Sequence, residues 1–412
     1  MKPHHPSRRG VLAGAGALGL GVQFLARPGY AADAATRKLI VVVCRGGMDG
    51  LTVSPPVGDP DYAGLRGQIA LGAEALKLDG TFALHPSLAS VHALAQAGQA
   101  RIAPAIATPD RARSHFEAQD VLESGASAVY GAPSGWLNRA VGTLGAHRQV
   151  EALSVGPTAP LILRGPTAFA SWSPGRTVDA SARLPTLLQD LYRSDPLLGP
   201  ALAEGLATET MAQEAMTGLA TRPAGMTATP ADKPAAYGLR QGQDAARNLG
   251  QTLAGFMREA NGPQIAALSL DGFDTHANEG AAQGQLATRL AYLDAVLDGI
   301  HIGLGPDWKD TVVLVATEFG RTARVNGTGG TDHGTASTAL VLGGALKRGG
   351  IVGDWPGLKQ SALFENRDLA PTLDMRSLFK GVLADHLGVE HAALERVVFP
   401  DSAGAKPVRG LV

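Results

Sequence analysis

Carboxylate and imidazole side chains recur at the ends of apolar runs in this sequence. Asp274 and His276 follow the run 265–270, and Asp332-His333 stand in a Gly-rich loop just before the run 336–342. Glu318 closes a run that begins at Thr311, and Asp49 follows the run 38–44 through the turn Arg45-Gly46-Gly47-Met48. Such groups at the carboxyl ends of buried strands stand where α/β proteins keep their chemistry. Oxygen and imidazole ligands together suit a divalent metal, with zinc, manganese, calcium and magnesium all open. Each residue also has a plainer reading. Asp-x-His can be an Asx turn with an exposed histidine, and Asp332-His333 a surface turn. Glu318, costly to bury alone, can pair with Arg321 or Arg324. Asp49 can be a turn residue bridged to Arg45.

Ser114 opens a predicted helix directly after the run 100–107 and a loop. A hydroxyl at a helix N-terminus is placed to attack a phosphoryl or sulfuryl centre. Ser114 with Glu117 also reads as a capping box, and one residue can serve both purposes. His115 is a candidate ligand or acid/base group. Arg45, Arg111, Arg113, Arg321 and Arg324 lie in the same loops and could hold an anionic substrate. No Gly-x-Ser-x-Gly elbow surrounds Ser114, which disfavours a Ser-His-Asp hydrolase.

The elements that must position these residues are legible as alternation. Strands are expected at 38–44, 100–107, 151–155, 160–163, 265–270, from 311, and at 336–342. Helices are expected at 83–97, from 114, and at 131–144, 184–194, 201–219, 238–260, 283–303 and 372–387. Continuous apolar β-branched runs such as Lys38–Cys44 (KLIVVVC) suit central strands buried on both faces. Strands alternating with helices predict an α/β protein with a mostly parallel central sheet flanked by helices. The stretch 221–236 is a Pro/Ala-rich loop that separates no two obvious cores, so a single domain over 35–412 is expected.

With a formal net charge of -1, the chain has no global basic field for nucleic acid. Cys44 is the only cysteine, so no intrachain disulfide can form. Residues 1–34 read as a signal peptide: Lys2, Arg8 and Arg9 precede a weakly apolar Gly/Ala/Leu stretch, and Ala31, Ala32 and Ala34 supply a cleavage region. Ser7-Arg8-Arg9-Gly10-Val11-Leu12 matches the twin-arginine export pattern. The twin-arginine export machinery is therefore an expected partner, and the mature protein is expected to be periplasmic or secreted. No other stretch is long and apolar enough to span a bilayer, so the mature chain is not expected to cross one.

Four ordered motifs, RGGMDGL, RSHFEAQD, GFDTH and TEFGRTARVNGTGGTDHG, resemble the exported bacterial family known as domain of unknown function 1501. The resemblance covers nearly all of the mature chain. It implies an alkaline-phosphatase-like α/β sandwich and the ancestry of the alkaline phosphatase and sulfatase superfamily. By that ancestry Asp49 and Glu318 would hold one metal, Asp274, His276 and His333 another, and Ser114 would be nucleophile or ligand. Asp332-His333 could instead take the role of the superfamily's Asp-His dipeptide, leaving Glu318 structural. Two departures stand out. Asp274 and His276 are closer together than the usual pair, and Phe319 follows Glu318 where an imidazole is usual. The resemblance thus implies either a metal-dependent hydrolase of phosphate or sulfate esters, or a degenerate relative acting as an exported binding or assembly protein.

Overall fold

The computed structural model describes residues 36–144, 151–156, 158–174 and 234–412. The expected signal peptide, the helices at 184–194 and 201–219 and nearly all of the Pro/Ala-rich loop lie outside the described residues. The strands are β1 (Lys38–Cys44), β2 (Leu76–Lys77), β3 (Ala83–Leu84), β4 (Ala100–Ala107), β5 (Ala152–Val155), β6 (Ala170–Trp172), β7 (Ile265–Leu270), β8 (Thr311–Ala316), β9 (Ser337–Leu342), β10 (Gly350–Ile351) and β11 (Leu373–Asp374). The helices are α1 (Gly50–Val53), α2 (Tyr62–Arg66), α3 (Ala89–Gln96), α4 (His115–Ser124), α5 (Trp136–Leu144), α6 (Pro234–Arg258), α7 (Gln285–Leu304) and α8 (Met375–Leu387), with a short turn of helix after them.

Nine strands form one sheet in the order β10-β4-β9-β8-β1-β7-β5-β6, with β11 also on β4, while β2 and β3 pair separately. All seven residues of β1 are buried. Its alternate side chains explain why: Ile40, Val42 and Cys44 join a core with α3, α6 and α7. Leu39, Val41 and Val43 join a second core with α4, α5 and α8 on the other face. Each buried Val, Leu or Ile contributes roughly 1.5–3 kcal/mol, so a doubly covered strand has no use for alternation with polar residues. The fold is therefore α/β, a mostly parallel sheet flanked by helices.

The pairing of β1 with β7 and β8 is parallel, with Cys44 opposite Leu270 and Val43 opposite Ala316. Among the described strands of this sheet, only β9 runs against its neighbours, β8 and β4. The link 317–336 contains no crossover helix, and without one the chain can only return antiparallel. That reversal has a chemical consequence. It places the end of β8 and the start of β9 at one end of the sheet, beside the carboxyl ends of β1, β4 and β7. Glu318, His333, Asp49, His115 and Asp274 all follow or precede those strand ends.

Some local expectations differ. Residues 161–163 form a 3-10 turn rather than a strand, because Pro160 starts a tight turn and Arg164 N–H bonds to Leu161 C=O. The helix expected from residue 83 begins at Ala89, since Ala83 and Leu84 pair with β2. The turn at 349–353 carries the short strand β10.

Candidate metal centre

Three imidazoles and one carboxylate meet at this end of the sheet. His115 is the first residue of α4, Asp274 and His276 lie in the segment after β7, and His333 lies in the link before β9. Ligand atoms of His115, Asp274 and His333 all lie within 4.8 Å of one another, a spread suited to one metal ion. His276 Nε2 joins them, 3.1 Å from Asp274 Oδ1 and 2.9 Å from His333 Nε2.

The far nitrogen of every ring is taken. His115 Nδ1 bonds to Glu318 Oε1 at 2.9 Å, His276 Nδ1 to Asp332 Oδ1 at 3.3 Å, and His333 Nδ1 to the Arg113 carbonyl at 2.9 Å. A carbonyl and two carboxylates only accept, so each Nδ1 carries the proton in the neutral ring. Each Nε2 therefore presents a lone pair towards Asp274. Two such lone pairs 2.9 Å apart, on His276 and His333, repel unless a proton or a cation lies between them. Imidazoles oriented through Nδ1 by carboxylate or carbonyl acceptors are the usual surroundings of a metal ion.

Charge follows the same geometry. The hydrogen bond to Glu318 raises the His115 pKa against the opposing effect of burial. Burial lowers that of His333, against its bond to Arg113. Burial alone would raise Asp274 and Glu318, yet both are lowered, by Arg321 beside Asp274 and by His115 and backbone donors around Glu318. Asp274 and His276 side chains are 43% and 46% exposed, so the cluster is open to a solute. Beneath it Phe319 packs on the rings of His115 and His333 with centroids 4.9 and 4.8 Å away. Where the resemblance placed an imidazole, an aromatic wall orients two others.

Arg321 holds the loops in place. It is buried and donates to the carbonyls of Gly46, Gly47, Phe273 and Thr331 and to the Asp274 carboxylate. Close approach requires glycine here: a Cβ on Gly46, whose φ is +118°, would lie 2.5 Å from Asp274 N.

Several expectations are corrected by this geometry. Asp49 does not reach the cluster. It caps α1 through Leu51 N–H and pairs with the buried Arg66, not Arg45. Arg66 also lies 3.6 Å from Glu279, which sequence reasoning passed over. Glu279 Oε2 accepts from Thr275 at 3.0 Å and Thr331 at 2.7 Å, which tie it to the two ligand segments. No apolar pattern surrounds Glu279, which lies in the stretch His276-Ala277-Asn278-Glu279-Gly280, so the sequence carried no signal for its burial. Glu318 meets His115 rather than Arg321 or Arg324, and Asp332 meets His276, so both act on imidazoles. Ser114 is the N-cap of α4, but its side chain makes no capping bond, so the capping box does not form. Of the five arginines expected to take an anion, three are engaged with carboxylates: Arg45 with Glu123, Arg113 with Glu365 and Asp368, and Arg321 as described. Arg111 donates to the Thr108 and Asp110 carbonyls.

Fold and site together define an α/β sandwich with an imidazole–carboxylate cluster at one end of its sheet. Residues 36–398 match the family described as "Protein of unknown function (DUF1501)", and the chain belongs to that family. No curated protein matches it. Among solved structures it is similar to the C-terminal periplasmic domain of EcEptC from Escherichia coli in complex with Zn. There the identity is 8%, the TM-score 0.33, and 89% of this chain and 87% of that one are covered. It is also similar to the phosphonate monoester hydrolase of Agrobacterium radiobacter, at 12% identity and TM-score 0.38, covering 86% and 74%. A third likeness is to the lipoteichoic acid synthase LtaP from Listeria monocytogenes, at 10% identity and TM-score 0.34, covering 92% and 78%. At these scores the likenesses carry no argument about activity. Among the described residues no helix is long and apolar enough to cross a membrane.

Proposed function

We propose that this protein is an exported metal-dependent hydrolase of phosphate or sulfate esters. The observation that carries the reading is the convergence of three Nε2 lone pairs on the Asp274 carboxylate. His115, Asp274, His276 and His333 would hold one divalent cation. Three nitrogens and one oxygen fit zinc or manganese better than calcium or magnesium, which prefer oxygen alone. When bound, the cation supplies Lewis acidity to a phosphoryl or sulfuryl oxygen.

The chain's own groups do the rest. Glu318, Asp332 and the Arg113 carbonyl fix the ring tautomers, and Arg321 fixes Asp274. Ser114, next to His115 with its hydroxyl free of capping, is the candidate nucleophile at a helix N-terminus that favours negative charge. Export through the twin-arginine machinery follows from Arg8-Arg9. Metal analysis of the purified mature chain, with an ester panel, is the test. About one equivalent of zinc or manganese per chain is expected, lost in His333→Ala. A chain that carries no divalent metal, and whose stability is indifferent to chelation, sinks the reading.

The engagement of Arg45, Arg113 and Arg321 within the protein favours a second reading, an exported binding or assembly protein that keeps the metal without turnover. It is distinguished by Ser114→Ala, which on that reading changes no rate on any ester.

A further inference from the structure

A cavity of about 250 Å³ lies against the back of the cluster. Its wall includes Asp332, whose Oδ1 holds His276 Nδ1 at 3.3 Å, and Arg367, which donates to the His333 carbonyl at 2.9 Å. Asp332 and Arg367 thus link the cavity to two residues of the candidate metal centre, His276 and His333. Two guanidinium groups line it. Arg367 is steered by His333 and by Asp368, 3.2 Å away. Arg324 is exposed, and its guanidinium has no partner among the described residues. In this it differs from Arg45, Arg66, Arg113 and Arg321, each of which meets a carboxylate. The side-chain amides of Gln360 and Asn366 add hydrogen-bonding groups, and Leu65 and Leu363 form an apolar floor. Asp332 is the one carboxylate in the lining, and it already accepts from His276 and Asn326.

We propose that this cavity is a second subsite, for an oxyanion carried on a polyol ring of the same substrate. The volume is below that of a whole ligand pocket and suits one ring rather than an entire molecule. Two guanidinium groups in one small lining select a carboxylate, sulfate or phosphate oxygen through charge-assisted hydrogen bonds. Amides and an apolar floor suit the hydroxyl edge and the C–H face of a ring. This rests on the hydrolase reading and narrows it: the substrate carries a second anionic group beside the ester.

The probe pair D-glucuronate and D-glucose isolates the oxyanion, since the rings differ in one carboxylate. Binding to the metal-loaded full mature chain is measured by calorimetry, with metal content recorded for each preparation. The wild type is expected to bind glucuronate at least tenfold more tightly than glucose, and Arg324→Ala to lose about tenfold for glucuronate alone. Arg324 is exposed, so the variant folds; its unchanged metal content separates loss of the subsite from loss of the metal centre. Equal affinity for the two sugars, or glucuronate binding unaffected by Arg324→Ala, overturns the subsite even in a chain that holds metal. Arg324-dependent glucuronate binding in a chain without metal supports the subsite while overturning the hydrolase.

Discussion

Glu279→Gln tests whether the buried acidic pair under the ligand segments shares a proton. Asp49, Glu279 and Arg66 are all buried, and full ionisation would leave one negative charge uncompensated in the interior. Burial, and then Asp49 beside it, push Glu279 from an ordinary 4.5 up to about 8. Burial would raise Asp49 too, but Arg66 and the hydrogen bonds around it outweigh that and hold it below its ordinary value. Glu279 is thus the protonated member. Its folded pKa lies above its unfolded one, so the stability it contributes is full below pH 4.5 and is lost as the pH rises through about 8. A displacement of that size is worth on the order of 5 kcal/mol. Glutamine imitates the protonated acid: its amide donates to Asp49, and its oxygen still accepts from Thr275 and Thr331. The variant should lie within about 1 kcal/mol of the wild type near pH 5. By pH 8 it should be the more stable of the two by about 3 kcal/mol. Urea unfolding of both proteins across that range measures this, because the difference cancels every other titrating group. A difference that stays constant with pH refutes the shared proton. Glu279→Ala, which leaves the Thr275 and Thr331 hydroxyls without their acceptor, should cost about 3–5 kcal/mol throughout.

Other outcomes follow from the same geometry. Arg321→Met removes the donor to four carbonyls and to Asp274; it should cost about 3–5 kcal/mol in urea unfolding and release bound metal. Gly320→Ala sets a Cβ 1.7 Å from the Ala336 carbonyl oxygen, and thermal unfolding should report a loss of about 3 kcal/mol or more. Burial lowers His386 to about 4, so it folds as the neutral base bonded to the Lys38 carbonyl. Stability from this group is lost as the pH falls from 6.5 through about 4, and His386→Gln should flatten that acid limb by up to roughly 3 kcal/mol.

Much of the fold was legible because it rests on local pattern. β1, β4 and β7 fall on the apolar runs 38–44, 100–107 and 265–270, since a strand covered on both faces leaves an unbroken hydrophobic signature. The short strands β2, β3, β6, β10 and β11 were missed, for two or three residues carry no period of their own. His115, Asp274, His276 and His333 were each singled out by type and by place after or before a strand.

The sequence by itself determined the α/β class, the family motifs and a set of acids and imidazoles at strand ends. Which of them meet was decided only by the tertiary structure. The antiparallel return of β9 carries His333 to Asp274, because the link 317–336 has no helix with which to cross over. Pairings between residues tens to hundreds of positions apart then sort the charges. Arg66 takes Asp49 into the interior, Arg321 takes Asp274, and Glu318 and Asp332 turn two imidazoles so that their lone pairs face the same point. Residue type shows what a side chain can ligate; its partner, set by the packing of the whole sheet, decides whether it is free to do so.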